Sequence, residues 1–162
     1  MKNNKGLTII ELLIVISIIA ILSIAFGFSF QGWMGSYRIE NQVKEMYADF
    51  MNARVKAMNR NRAHFVVITA TTYQIFEDTN ENETFDSGVD TALMTFANPK
   101  TIEFPVEASS WTGTETINAR GLIAPSNTIR FDIGNNNPDY DCLLLLPTRI
   151  NIGRWNGTCI ER

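Results

Sequence analysis

Lys5-Gly6-Leu7-Thr8-Ile9-Ile10-Glu11-Leu12 opens into an apolar run that continues to about Phe30. One carboxylate, Glu11, lies inside this otherwise greasy segment, just after a short basic leader that ends in glycine. From Leu12 to Tyr37 there is no charged residue. About 20 apolar residues span a bilayer as a helix rising roughly 1.5 Å per residue. An ionisable group near the membrane core is costly and marks function, so Glu11 requires a partner.

Two plainer readings account for less. A cleavable secretory signal has an apolar region of roughly 7–15 residues followed by a small-residue cleavage site. This run is longer, and Gly32-Trp33-Met34-Gly35 is a poor substitute for such a site. An ordinary single-pass anchor keeps Lys2 and Lys5 in the cytoplasm by the positive-inside rule. That explains topology and leaves Glu11 without a role.

The run Lys5-Gly6-Leu7-Thr8-Ile9-Ile10-Glu11-Leu12-Leu13-Ile14-Val15-Ile16-Ser17 resembles the type III signal of type IV pilins and type II secretion pseudopilins. The resemblance implies cleavage after Gly6 by a prepilin peptidase and N-methylation of the new first residue, Leu7. It places Glu11 at the fifth mature position, where that family carries a glutamate. Most members begin the mature chain with phenylalanine, and Leu7 departs from that while remaining bulky and apolar. Implied partners are the peptidase, other pilins or pseudopilins, and an inner-membrane assembly platform. The implied location is the bacterial inner membrane, single-pass with the head in the periplasm, and then a fibre.

The chemistry agrees. Cleavage leaves a free α-amine on Leu7 at the end of an apolar helix, and an unpaired buried charge costs several kcal/mol. If subunits stack with a small axial stagger, Glu11 of one meets the Leu7 amine of the next. That pair neutralises two buried charges and sets the register. The first helical turns also favour an anion through the macrodipole.

Composition sets further bounds. Of 162 residues, 45% are hydrophobic and 19% charged, with 14 basic and 17 acidic side chains. Loss of Lys2 and Lys5 with the leader takes the basic count from 14 to 12 against 17 acidic, a net of −5. An acidic chain is not a general nucleic-acid binder, and nucleic acid is not an expected partner. Roughly 125 residues remain beyond the anchor, enough for one modest core. The two cysteines, Cys142 and Cys159, lie near the C-terminus. Outside the cytoplasm such a pair forms a disulfide, two buried thiols being the alternative.

Past Tyr37, apolar residues recur at Ile39, Val43, Met46, Phe50, Ala53 and Ala57, the 4-3-4-3-4 spacing of a helix with one buried stripe. Glu40, Asn41, Lys44, Glu45, Asp49, Asn52 and Lys56 fall on the other face. The spacing predicts one helix from Leu7 to about Arg60, with Gly27, Gly32 and Gly35 as sites of bending or local melting. After Arg60 the period becomes two: 64–69 and 72–76 read as a hairpin with a short polar turn. Further strands are expected at 92–96, 101–104, 128–133, 142–146, 149–152 and 155–160, with a turn at Gly153–Asn156. The expected fold class is α+β, a long N-terminal helix whose second half packs on an antiparallel sheet. Three segments follow: a leader, 1–6; a transmembrane and fibre-core helix, 7–34; and a periplasmic or extracellular pilin-like head, 35–162.

Ala53-Arg54-Val55-Lys56-Ala57-Met58-Asn59-Arg60-Asn61, the run Phe76–Asn82 with Asp86-Ser87-Gly88, Ala119-Arg120-Gly121 and Ile150-Asn151-Ile152-Gly153-Arg154 together resemble landmarks of the H-type pseudopilin and FimT family. Some FimT relatives bind DNA through a C-terminal Gly-Arg-x-Arg motif. Here the run is Gly153-Arg154-Trp155-Asn156, and the second arginine is missing. Arg154 and Trp155 are therefore candidates for subunit contact first and DNA contact second, with Arg149 and Arg162 as neighbours in the patch.

Nothing in the chain reads as an enzyme. His64 is the one histidine, and no phosphate loop, metal-ligand cluster or nucleophile elbow is present. The loop Asp78–Asp86 alternates oxygen side chains as an EF-hand does, but Glu83 stands where glycine is needed. A solvated turn with Asx hydrogen bonds is the expected reading. No cofactor or metal is expected. Three functions remain: a structural, minor fibre subunit; a DNA-binding minor pilin of natural transformation; or a single-pass anchored binding domain that never polymerises.

Overall fold

The computed structural model describes residues 8–162, with the side chains of 25–31 and Met94 outside the described set. Helix α1 runs from Ile9 to Arg60, 52 residues, about 78 Å at ~1.5 Å per residue. It passes through Gly27, Gly32 and Gly35 with its helical hydrogen bonding unbroken, so the local melting expected there does not occur. At Gly35 the small residue serves close approach: a Cβ there would run into the Asn136 side chain. The helix stops at Asn61, a left-handed C-cap (φ 51°) whose N–H returns to the Ala57 carbonyl. Arg60 then pairs with Glu77, and Arg62 with Glu81 (2.8 Å), fastening the helix end to the first hairpin.

The head is β-rich and built as two sheets, where the periodicity suggested one. The strands are β1 (His64–Ile68), β2 (Thr72–Glu77), β3 (Thr91–Ala92), β4 (Lys100–Thr101), β5 (Gly113–Ile117), β6 (Ile123–Ala124), β7 (Asn127–Arg130), β8 (Cys142–Leu145), β9 (Ile150–Trp155) and β10 (Cys159–Glu161). The first sheet has the order β3-β2-β1-β5-β6, with β4 also on β2; the second is β10-β9-β8-β7. All named pairings are antiparallel.

Several expected strands are redrawn. The segment 92–96 divides into β3 and a 3₁₀ turn, Met94–Phe96. The segment 101–104 shrinks to the short β4. Gly153 and Trp155 lie within β9 rather than in a turn, and the chain reverses after Trp155, with Gly157 at φ 83°. Crowding explains the small residue at 153: a Cβ there would strike the Ile160 carbonyl and the Cys159 sulfur. Strand β5 has no sequence counterpart, because its two inward positions are Glu115 and Ile117 and the carboxylate hides the alternation.

Helix α1 packs on β1 and β5 of the first sheet and on β8 and β9 of the second. The six stripe residues, Ile39 to Ala57, are all fully buried. They meet Val66, Ile75, Ile117, Ile129, Phe131, Leu143 and Leu145 from both sheets. Burying a side chain of this size contributes roughly 1.5–3 kcal/mol, so the stripe holds the two sheets together.

Polar contacts fix the helix rotation. The Gln42 amide donates to the Phe104 carbonyl and accepts from the Phe104 N–H, both at 2.9 Å. Tyr73 donates to Asp49 (2.6 Å), and Lys100 reaches Asp49 (2.6 Å) and Glu45 (2.9 Å). Partial burial works to lower the Lys100 pKa, but hydrogen bonds to these two carboxylates outweigh it and hold the ammonium above its usual value.

Candidate assembly site

Among the described residues, the first part of α1 has no packing partner outside the helix. Every side chain from Thr8 to Ile24 is exposed, with Ile9 at 82% and Ile21 at 69%. A helix apolar on all sides in this way lies in lipid or within a larger protein body. Its two described serines are turned inward: Ser17 donates to the Leu13 carbonyl (2.7 Å) and Ser23 to the Ile19 carbonyl (2.8 Å). The rod therefore presents no unspent donor of these serines to an apolar neighbour. Among the described residues, no helix is long and apolar enough to cross a membrane.

Glu11 stands in the first turn, exposed. Thr8 is the N-cap in extended conformation, and its hydroxyl accepts from the Glu11 N–H at 3.3 Å. Thr8-Ile9-Ile10-Glu11 thus has the spacing of a capping box. Its signal lies in the sequence, as a threonine three residues before a glutamate at the head of an apolar run. The arrangement puts the Glu11 carboxylate where the helix terminus is positive, four residues from Leu7. Gly6 and Leu7 lie outside the described residues, as does the leader.

At the C-terminal end, Cys142 and Cys159 are joined by a disulfide, with Cα atoms 6.0 Å apart. The bond ties β8 to β10 across β9. Arg154 and Trp155 are half-buried on β9 and do not form the tip of a turn. Arg154 donates to the Asn137 side chain, and the Trp155 N–H donates to Asp141 at 2.6 Å. The Trp155 ring carries the Arg130 guanidinium 5.0 Å from its centroid, and Arg130 pairs with Glu107. Arg162 pairs with Asp139 at 3.2 Å. Arg149 lies exposed at the opposite end of β9 and does not join these residues.

The engaged partners have a common task. The loop 134–139 lies against α1: the Asn137 N–H donates to Ser36 (3.1 Å) and the Asp139 N–H to Glu40 (2.9 Å). Arg154 on β9 and Arg162 just past β10 thus hold the loop that grips the helix where it enters the head. Sequence reasoning placed these arginines on a contact surface and missed this brace, since the loop and the helix residues it grips are about a hundred positions apart.

His64 is fully buried in β1, between β2 and β5. Burial lowers its pKa, and Nδ1 lies 3.2 Å from the Arg62 carbonyl. The loop after β2 is closed by its own backbone. Asp78 accepts the Glu81 and Glu83 N–H groups (2.7 and 2.8 Å), and Asp90 accepts those of Asp86 and Thr79 (2.7 and 3.3 Å). Asn80 and Asn82 donate to Asp86, holding its carboxyl below the usual range. Among the described residues, no three His, Cys, Asp or Glu side chains are grouped to hold a metal ion.

A family model described as the prokaryotic N-terminal methylation motif matches residues 1–27. No curated protein and no solved structure matches the chain. The chain carries, at its N-terminus, the signal of type IV pilin-like, prepilin-processed proteins. The motif implies processing by a prepilin peptidase and assembly with other pilins.

Proposed function

We propose that the chain is a structural, minor subunit of a type IV pilus-like or type II secretion pseudopilus fibre. The observation that carries this reading is the apolar first part of α1, exposed on all sides and headed by Glu11. Before assembly the helix 7–34 holds the precursor in the inner membrane with the head, 35–162, in the periplasm. On assembly the same surface moves from lipid into the fibre core, and the inner-membrane platform carries out the transfer. Glu11 then pairs with the Leu7 amine of a neighbour. The resemblance to H-type pseudopilins and FimT supports a minor rather than a major subunit. The chain acts without catalysis and without a cofactor.

The DNA-binding reading ranks below this one because Arg154, Arg130 and Arg162 each have a partner within the head. The non-polymerising anchored domain leaves the Gly6 junction without a use. Mass spectrometry of the mature N-terminus tests the proposal. The expected chain begins at N-methylated Leu7, and Gly6→Ala retains the six-residue leader. An unprocessed native N-terminus would favour the anchored domain instead.

A further inference from the structure

Trp33 and Tyr37 lie one turn apart on α1, where the helix enters the head. Their rings stack, with centroids 6.0 Å apart and planes 20° from parallel, yet both residues stay largely exposed, at 63% and 51%. Two large rings exposed to water forgo the hydrophobic gain that such residues normally realise.

The position along the helix selects the surface that covers them. Glu11 and Trp33 are 22 positions apart on one continuous helix, about 33 Å at ~1.5 Å per residue. A bilayer hydrocarbon core is about 30 Å thick, and a typical tilt of about 20° shortens the projected distance to about 31 Å. With Glu11 at one boundary of the apolar layer, Trp33 therefore falls at the other. The sequence changes at the same level: Arg38 is the first charge after Glu11. The polar loop 134–139 also descends to this level, and with Trp33, Ser36, Tyr37 and Glu40 it borders an open cleft of about 410 Å³.

We propose that the stacked Trp33–Tyr37 pair is an interfacial anchor, seated among the phospholipid headgroups at the periplasmic boundary of the membrane. Indole and phenol combine an apolar body with a polar tip, the combination that suits this layer. Arg38, held by Glu103 at 2.7 Å, lies on the water side of the rings. The anchor fixes the depth of the precursor, and with it the level at which Glu11 waits for a partner. It rests on the membrane-spanning reading of the helix proposed above.

The test uses the full chain reconstituted in vesicles of phosphatidylethanolamine and phosphatidylglycerol. The lipids carry bromine either near the glycerol end of the acyl chains or near the terminal methyl. The difference in emission between the wild-type chain and Trp33→Phe isolates Trp33 from Trp111 and Trp155. The expected result is loss of most Trp33 emission with the shallow bromine and little loss with the deep one. A chain that floats with the vesicles but whose Trp33 is unquenched, or quenched most by the deep bromine, overturns the anchor alone. A chain that does not float with the vesicles overturns the membrane-spanning reading and the anchor with it.

Discussion

The Asn137 N–H donates to the Ser36 hydroxyl at 3.1 Å, joining residues 101 positions apart. This bond fastens the head to α1 at the level where the helix enters the head. One residue earlier, Asn136 packs against Gly35, and two residues later Asp139 bonds Glu40. Arg154 holds Asn137 from behind, and the disulfide holds the strands that flank Arg154. The helix is thus linked to β8, β9 and β10 through a short series of hydrogen bonds and the disulfide.

Removing Arg154 should loosen this grip more than it changes the surface. Arg154→Ala is expected to destabilise the head by about 1 kcal/mol, the usual worth of one partly exposed hydrogen bond. Amide exchange should rise at 134–139 and at Ser36 to Glu40. Because Arg154 is already paired, affinity for duplex DNA should be unchanged at low salt. A steep salt-dependent affinity lost in this variant would support the DNA-binding reading.

Reduction of the disulfide acts on the same path. The bond closes a loop of 17 residues, for which the chain-entropy estimate is about 3 kcal/mol. Cys142→Ser with Cys159→Ser should lower the melting temperature of the full chain in detergent and raise exchange in the 134–139 loop. The β1–β2 hairpin, in the other sheet, should be affected least.

Much of this was legible in the sequence. The 4-3-4-3-4 stripe fixed the buried face of α1, because that spacing follows from helix geometry and survives any choice of partner. The hairpin of β1 and β2 was legible for the same reason, with alternation bounded by a polar turn. The division into two sheets was not, since short strands such as β3, β4 and β6 are held by neighbours rather than by their own pattern. Glu115 concealed β5 by placing a carboxylate where an apolar residue marks the inward face. Glu11 was singled out by charge, while its capping relation to Thr8 needed attention to spacing. The brace of Arg154 on Asn137 has no local signal at all.

Glu115 supplies a pH-dependent test of the core. It is fully buried, and burial pushes its pKa from 4.5 up to about 7, opposed by a hydrogen bond from Asn127 on the other sheet. A carboxyl whose folded pKa is raised holds its proton more tightly in the folded state. Its contribution therefore becomes unfavourable as pH rises from about 4.5 to about 7, and stays so above. Glu115→Gln should remove that decline, so the variant gains stability over wild type at pH 8 and gains least near pH 4, as followed by denaturant unfolding. An equal difference at both pH values would contradict the assignment.

Phe50 tests the joint between the helix and the two sheets. It is among the largest fully buried side chains in the head. Phe50→Ala should cost about 3–5 kcal/mol, read as a lower denaturant midpoint. Val55→Ala, on the exposed side of the same helix, should be near neutral.

The central claim is that the charge of Glu11, and not merely its place in the helix cap, brings the subunit into a fibre. Glu11→Gln separates the two, because the Thr8 hydroxyl bonds the backbone N–H of residue 11, which glutamine keeps, while the charge is removed. The decisive measurement is the amount of this variant in sheared fibres relative to the membrane fraction, in the native host. The account predicts a precursor that is stable, cleaved after Gly6 and retained in the membrane, with little or none in fibres. Incorporation of Glu11→Gln at the wild-type level would contradict it.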